Sequence, residues 1–145
     1  MKILVGVDDS PHSHAAVEFV KRMTWPAGSE VVVLSVAQPV YAMVDAGGLS
    51  YLQTTQEETG RFHEELAARI ERELRDAGLT TRALVLQGDA RVALVEQATI
   101  EKADLLVVGS HGRSGLTKLL MGSVANHVVT HAPCTVTVVK VPSRR

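Results

Sequence analysis

Two short polar segments hold the residue types on which chemistry could be built. Asp8-Asp9-Ser10 follows the apolar run Lys2–Val7, and Gly109-Ser110-His111-Gly112-Arg113-Ser114-Gly115 follows the apolar run Leu105–Val108. Glycines at 109, 112 and 115 allow positive φ and let a ligand approach the backbone with no Cβ atoms in the way, so that successive N–H groups can point at an anion. Gly122-Ser123 then opens a helix, whose first N–H groups and positive dipole end suit phosphate oxygens. His111, Arg113 and Lys118 add cationic donors. Together these residues describe a phosphate cradle. They also read as a glycine turn followed by an ordinary serine N-cap, and spacing alone leaves both readings open.

Other chemistries are disfavoured. No G-x-G-x-x-G follows a strand, no G-x-x-x-x-G-K-[ST] occurs because Lys118 follows Thr117, and Ser114 lacks the glycine spacing of a nucleophile elbow. His127 and His131 stand i, i+4 on one helix, but without the Glu of H-E-x-x-H or a third ligand they read as helix-end histidines. His12 and His14 fall in the first turn of a helix and are expected to face solvent, unless the first loop folds inward and brings one of them to a phosphate. Asp9 reads equally as a helix cap or a ligand contact. Fifteen Lys plus Arg against sixteen Asp plus Glu give a formal charge of -1, which supplies no field for nucleic acid or anionic lipid. The aromatics, Phe19, Trp25, Tyr41, Tyr51 and Phe62, are too scattered to stack single-stranded bases. Cys134 is the only cysteine. It reads as a small core residue, forms no internal disulfide, and suits a reducing, cytoplasmic setting. Met1–Val7 is too short for a signal-peptide core or a membrane span.

The elements that must position these segments alternate. Lys2–Val7, Glu30–Val36, Thr81–Leu86, Leu105–Val108 and Thr135–Val141 are short apolar runs of the kind that make strands buried on both faces. Between them lie four helices. The first starts at Ser10-Pro11 and carries a stripe of Ala16, Phe19, Val20 and Met23; the second covers Thr55 to Ala77 and is closed by Gly78-Leu79. The third runs from the N-cap Asp89 to about Lys102, and the last from Ser123 to His131. Ala37–Thr54, with Pro39, Gly47 and Gly48, reads as a mobile surface loop, and the charge-rich second helix as a solvated face. The 145 residues make a single domain, 1–145, large enough to bury about 70% of the unfolded surface. Strands alternating with helices predict an open parallel sheet with right-handed crossovers and helices on both faces. Ligands then sit beyond the carboxyl ends of the strands where the order reverses. If the first and fourth strands are neighbours, the order is 3-2-1-4-5, with carboxylates on one wall of the crevice and the glycine loop on the other.

Gly109-x2-Gly112-x9-Gly122-Ser123 matches the G-x2-G-x9-G-[ST] motif, and Val7-Asp8-Asp9-Ser10 the V-D-x-S segment, of the nucleotide-binding universal stress proteins. VVGSHGRSG from Val107, GSVANHVV from Gly122 and Ala132-Pro133-Cys134 extend the likeness over essentially the whole chain. The chain therefore resembles the ATP-binding class of that family. The resemblance implies a Rossmann-like α/β fold of the adenine nucleotide alpha hydrolase-like type, with a five-stranded parallel sheet in 3-2-1-4-5 order. It implies adenine against Val7-Asp8 and Val36, with Asp8 bonded to the adenosine moiety. Ribose and phosphates would lie along Gly109 and Gly112, flanked by His111 and Arg113, with Gly122, Ser123 and Val124 donating backbone N–H groups. Mg2+ would be held mainly by phosphate oxygens and water rather than by a protein cage, and Asp9 would weaken anion binding.

The function expected on this basis is a cytoplasmic stress-response module that binds ATP and changes its partner interactions in response. The alternatives are a slow ATP hydrolase or phosphotransfer enzyme, with Asp8 or His111 placing a water and Arg113 offsetting phosphate charge, and a structural dimer that takes AMP, cyclic AMP or no nucleotide. The family resemblance also implies a homodimer through Thr135 to Val141, whose apolar TVTVVKV offers a pairing edge.

Overall fold

A computed structural model describes residues 1–39, 49–113 and 120–142, with residues 49–54 described as backbone only. The elements are β1 (Lys2–Val7), α1 (Pro11–Arg22), β2 (Glu30–Ala37), α2 (Leu49–Asp76), β3 (Thr80–Gln87), α3 (Ala90–Ile100), β4 (Leu105–Gly109), α4 (Ser123–His131) and β5 (Thr135–Val139). The five strands form one sheet in the order β3-β2-β1-β4-β5, every pair parallel. This is the order that the family resemblance implies, and the one that follows from the alternation once β1 and β4 are neighbours.

The apolar runs become strands because both of their faces are covered. Ile3, Val5 and Val7 of β1 point to the side where Ala16, Val17 and Val20 of α1 and Leu66, Ile70 and Leu74 of α2 pack. Leu4, with Leu34 of β2 and Leu106 and Val108 of β4, points to the other side, against Leu94 and Ala98 of α3 and Ala125 and Val128 of α4. Successive side chains alternate between the two cores, as extended backbone requires. Ile3, Leu4, Val5 and Leu106 are each 0% exposed. Burying an aliphatic side chain of this size contributes about 1.5–3 kcal/mol, so each of these positions matters to stability. Cys134 packs against the second core, and burial pushes its thiol above the usual range.

Local signals set the helix ends. The Ser10 hydroxyl accepts from the Ser13 amide at 3.1 Å, with Pro11 in the first helical position, where its missing N–H is harmless. At the end of α2, Gly78 takes φ +92° while the Leu79 amide bonds the Leu74 carbonyl at 3.1 Å and the Gly78 amide bonds the Arg75 carbonyl at 2.9 Å. These are the two bonds of a Schellman closure. Asp89 caps α3, its carboxylate accepting from the Arg91 amide at 2.9 Å.

Several boundaries differ from the sequence reading. α2 begins at Leu49 rather than Thr55, because Leu49–Thr54 contains no glycine or proline and the breakers stop at Gly48. The expected loop over Ala37–Thr54 is correspondingly shorter: Ala37 belongs to β2, and residues 40–48 lie outside the described residues. β5 ends at Val139, whose carbonyl turns to the Ser110 amide at 2.8 Å. At the amino ends of the strands, Lys2 pairs with Glu30 at 3.2 Å and Glu101 at 3.4 Å, and Arg82 bonds Glu30 at 2.8 Å and also reaches Glu101. No described helix is long and apolar enough to cross a membrane.

Candidate functional site

The chain leaves β1 towards β2 and β3 on one side and later adds β4 and β5 on the other, so the strand order reverses between β1 and β4. A cleft of about 680 Å³ opens there, at the carboxyl ends of the strands. That volume falls in the range of small-molecule sites. All ten residues singled out in the sequence, Val7, Asp8, Val36, Gly109, His111, Gly112, Arg113, Gly122, Ser123 and Val124, line it. Lys118, Ser114 and Gly115 lie outside the described residues.

On the β1 side, one Asp8 carboxylate oxygen accepts from the Ser10 amide at 3.0 Å, and the Asp8 amide donates to the Ser13 hydroxyl at 3.1 Å. This local turn fixes the carboxylate at the rim of the cleft. Its second oxygen faces Gly112, where an added Cβ would lie 3.1 Å away. Asp9 plays neither part considered for it. It takes φ +65° and turns its carboxylate to Arg69 of α2 at 2.8 Å and to His14 at 3.0 Å, while Ser10 does the capping. It does not line the cleft, so the expected repulsion of a bound anion has no structural basis.

The glycine segment works by close approach, not by positive φ. Gly109, Gly112 and Gly122 are absent from the left-handed region. A Cβ on Gly109 would lie 2.5 Å from the His12 carbonyl carbon, and one on Gly122 would lie 3.1 Å from both the Ser110 oxygen and the His111 Cα. Gly109 therefore seats β4 on the first turn of α1, and Gly122 lets the start of α4 close on the loop. Gly122, not Ser123, is the helix N-cap, and no side chain caps α4. Its opening N–H groups, from Ser123 and Val124 onward, remain available at the cleft wall, where the helix dipole is positive.

A buried hydroxyl organises the two histidines beside this wall. Ser110, 2% exposed, contacts Nδ1 of His12 at 3.1 Å and Nδ1 of His111 at 3.0 Å, while Nε2 of His111 meets the Leu120 carbonyl. A carbonyl only accepts, so Nε2 of His111 donates to Leu120, and the Ser110 hydroxyl bridges the Nδ1 atoms of the two rings. His12 is thus half-buried under the loop and not the solvent-facing residue expected. His127 and His131 stack on the exposed face of α4, 4.2 Å between ring centroids, and no three metal-ligating side chains gather among the described residues.

The sequence reading missed the third wall. Thr59 and His63 of α2 line the cleft opposite α4, and Arg113 stacks over the Phe62 ring at 4.9 Å. His63 is 6% exposed, and its Nδ1 lies 2.6 Å from the hydroxyl of Ser35, which also contacts the Val7 carbonyl at 3.2 Å. Burial, and then the Arg113 charge, push His63 below the usual imidazole range against an opposing pull from Asp8. A signal did exist: reading back from Ile70 through Ala67 along i, i−3 and i, i−4 leads to His63 and Thr59 on the buried face of α2.

The profile of the Universal stress protein family matches residues 1–140. A universal stress protein of Thermus aquaticus is 31% identical over 95% of this chain and 97% of its own length. The solved structure of protein MJ0577, from Methanocaldococcus jannaschii, superposes with a TM-score of 0.87 at 25% identity, covering 99% of this chain and 97% of that one. A family protein of Arabidopsis thaliana, solved with AMP bound, superposes at 0.64 with 18% identity, covering 99% and 93% of the two chains. The chain spans less than half the length of the mycobacterial relatives it matches.

Proposed function

The chain belongs to the universal stress protein family, and from that premise we propose that it binds an adenine nucleotide, ATP first among them, in the cleft between the ends of β1 and β4. The observation that carries the reading is the opening of α4: a helix start without a side-chain cap, closed on a glycine whose Cβ would lie only 3.1 Å from the loop backbone, lining the same cleft as Asp8. Phosphate oxygens suit the amides of Ser123 and Val124, whereas the Gly122 amide expected to join them is already given to the Ser110 carbonyl at 2.7 Å. The nucleoside end belongs between Asp8, Val7 and Val36. Mg2+ accompanying the phosphates is held mainly by their oxygens and water, as the ion's preference for keeping its waters favours. The module acts in the cytoplasm by changing its contacts with partners when nucleotide binds, as a homodimer joined through β5.

Calorimetric titration of the nucleotide-stripped protein with ATP, ADP, AMP and cyclic AMP, with and without Mg2+, tests this reading. Saturable binding of ATP that exceeds binding of AMP supports the triphosphate cradle. AMP or cyclic AMP bound more tightly than ATP would move the ligand to a monophosphate. Binding of none would remove the nucleotide reading altogether.

A further inference from the structure

The wall of the cleft made by α2 carries a hydrogen-bonding atom that no part of the reading so far employs. Ser35 and Val7 are paired across β2 and β1, and the Ser35 hydroxyl lies 3.2 Å from the Val7 carbonyl and 2.6 Å from Nδ1 of His63. A carbonyl can only accept, so the single Ser35 proton goes to Val7 and His63 must donate from Nδ1. The neutral ring then carries its lone pair on Nε2. That atom makes no hydrogen bond to the described residues, yet every fully buried side-chain nitrogen or oxygen among them has a partner. Nε2 is therefore open, and the opening beside His63 is the cleft.

We propose that Nε2 of His63 accepts a hydrogen bond from a donor group on the bound nucleoside, the exocyclic amino group of adenine or a ribose hydroxyl. The inference rests on the nucleotide reading above and sharpens it. The backbone carbonyls and amides at the ends of β1 and β2 offer both polarities to a base, whereas an imidazole locked in one tautomer offers only an acceptor. A keto group at the same place would set two lone pairs against each other and leave both unsatisfied. Selection is thus built by the chain Val7, Ser35, His63, which links two strands to a helix and decides which ring nitrogen is bare. The neutral state is consistent with its surroundings, since burial and Arg113 both disfavour an imidazolium there, against Asp8.

The test uses the whole chain, with ATP, inosine triphosphate and 2′- and 3′-deoxyATP as probes in calorimetry, on the wild type and His63→Leu. The wild type should bind ATP at least tenfold more tightly than one of the analogues, and His63→Leu should erase that preference. Loss of the preference over inosine triphosphate identifies the amino group as the donor; loss of the preference over a deoxy analogue identifies the hydroxyl. If the variant does not fold, the 15N resonance of His63 Nε2 in the wild type takes its place, because a bare imidazole nitrogen moves upfield when it accepts a hydrogen bond. ATP should move it, and the analogue lacking the donor should not. Wild-type binding of ATP with no movement of Nε2, or a His63→Leu variant that keeps every preference within twofold, overturns the role of His63 alone. Failure of the wild type to bind any nucleotide overturns the reading beneath it as well.

Discussion

The Gly122 amide donates to the Ser110 carbonyl at 2.7 Å, and the same carbonyl oxygen stands 3.1 Å from the point where a Gly122 side chain would begin. The neighbouring obstacle is the His111 Cα, also backbone. At Gly112 the only obstacle within 4 Å among the described residues is the tip of the Asp8 side chain. The two motif glycines should therefore respond differently to substitution. Gly112→Val should keep the wild-type melting temperature within a few degrees while lowering ATP affinity at least tenfold. Gly122→Val should lose affinity and about 1–3 kcal/mol of stability together, the usual cost of overpacking. Urea denaturation and calorimetry on both variants separate these outcomes, and a Gly122→Val protein of full stability would show that the loop can yield.

His63 makes the fold pH-sensitive in a defined direction. Its value is lowered in the folded state by burial and by Arg113, with Asp8 opposing, so below about pH 6.5 the unfolded chain binds a proton that the folded chain resists. Stability contributed by the neutral ring is complete above that pH and falls as the pH drops towards the folded value. The urea midpoint should decline between pH 7 and pH 5.5 more steeply for the wild type than for His63→Gln. Parallel declines would assign the slope to other groups.

A second window opens at lower pH. Arg82, assisted by Gln97 and Lys2, holds the Glu101 carboxyl below its ordinary range; Arg82 with Lys2 does the same for Glu30. Lowered carboxylates stabilise the fold above their unfolded values and release that stability as the pH falls through the folded ones. Glu101→Gln should reduce the loss of stability below about pH 4.5, and because the partners are partly exposed its effect at pH 7 should be about 1 kcal/mol or less.

Among the described residues β5 has a hydrogen-bonded neighbour on one side only, β4, and its last four residues are half-buried. An open edge of Val136, Thr137, Val138 and Val139 is suited to pairing with a second copy of itself. Light scattering at micromolar concentration should give the mass of a dimer, and Thr137→Lys should shift it towards the monomer. A wild-type monomer removes the proposed assembly.

The strands and the walls carried by β1, β4 and α4 were legible because their signals are local, whereas the strand order, which pairs Ile3 with Leu105, came from the family resemblance. Apolar runs such as Glu30–Val36 stop at polar residues, Ser10-Pro11 and Gly78-Leu79 mark helix ends, and Asp8 and the glycines sit just beyond strand ends. His63 was not legible in this way. Its partner Ser35 is 28 residues distant, the hydroxyl lies inside what reads as an apolar strand, and the helix around His63 is dominated by charges that do face solvent. His12 escaped for the same reason: the Ser110 hydroxyl that holds it comes from 98 residues away. Asp9 looked like a cap because caps are read from residue type, whereas its φ of +65° and its bond to Arg69 depend on how α1 and α2 dock.

The double burial of β1 has a consequence for how accurately the cleft is built. A strand with one wet face is kept in step by its own alternation, since sliding by one residue would bring its oily side into water. β1 has no wet face: Ile3, Leu4 and Val5 are all 0% exposed, and sliding would exchange one dry side for another. Its alignment must come from elsewhere. Gly6 supplies one stop, because any side chain at its place would begin 3.0 Å from Leu94. Lys2 supplies another, its amide held by the Asp104 carboxylate at 2.7 Å and its carbonyl by the Asp104 amide at 2.8 Å. A slip of one position would carry Asp8 about 3.3 Å along the strand axis, farther than a hydrogen bond can stretch. The carboxylate at the mouth of the cleft is thus aligned from the opposite rim of the sheet, by another carboxylate that no ligand in the cleft would touch.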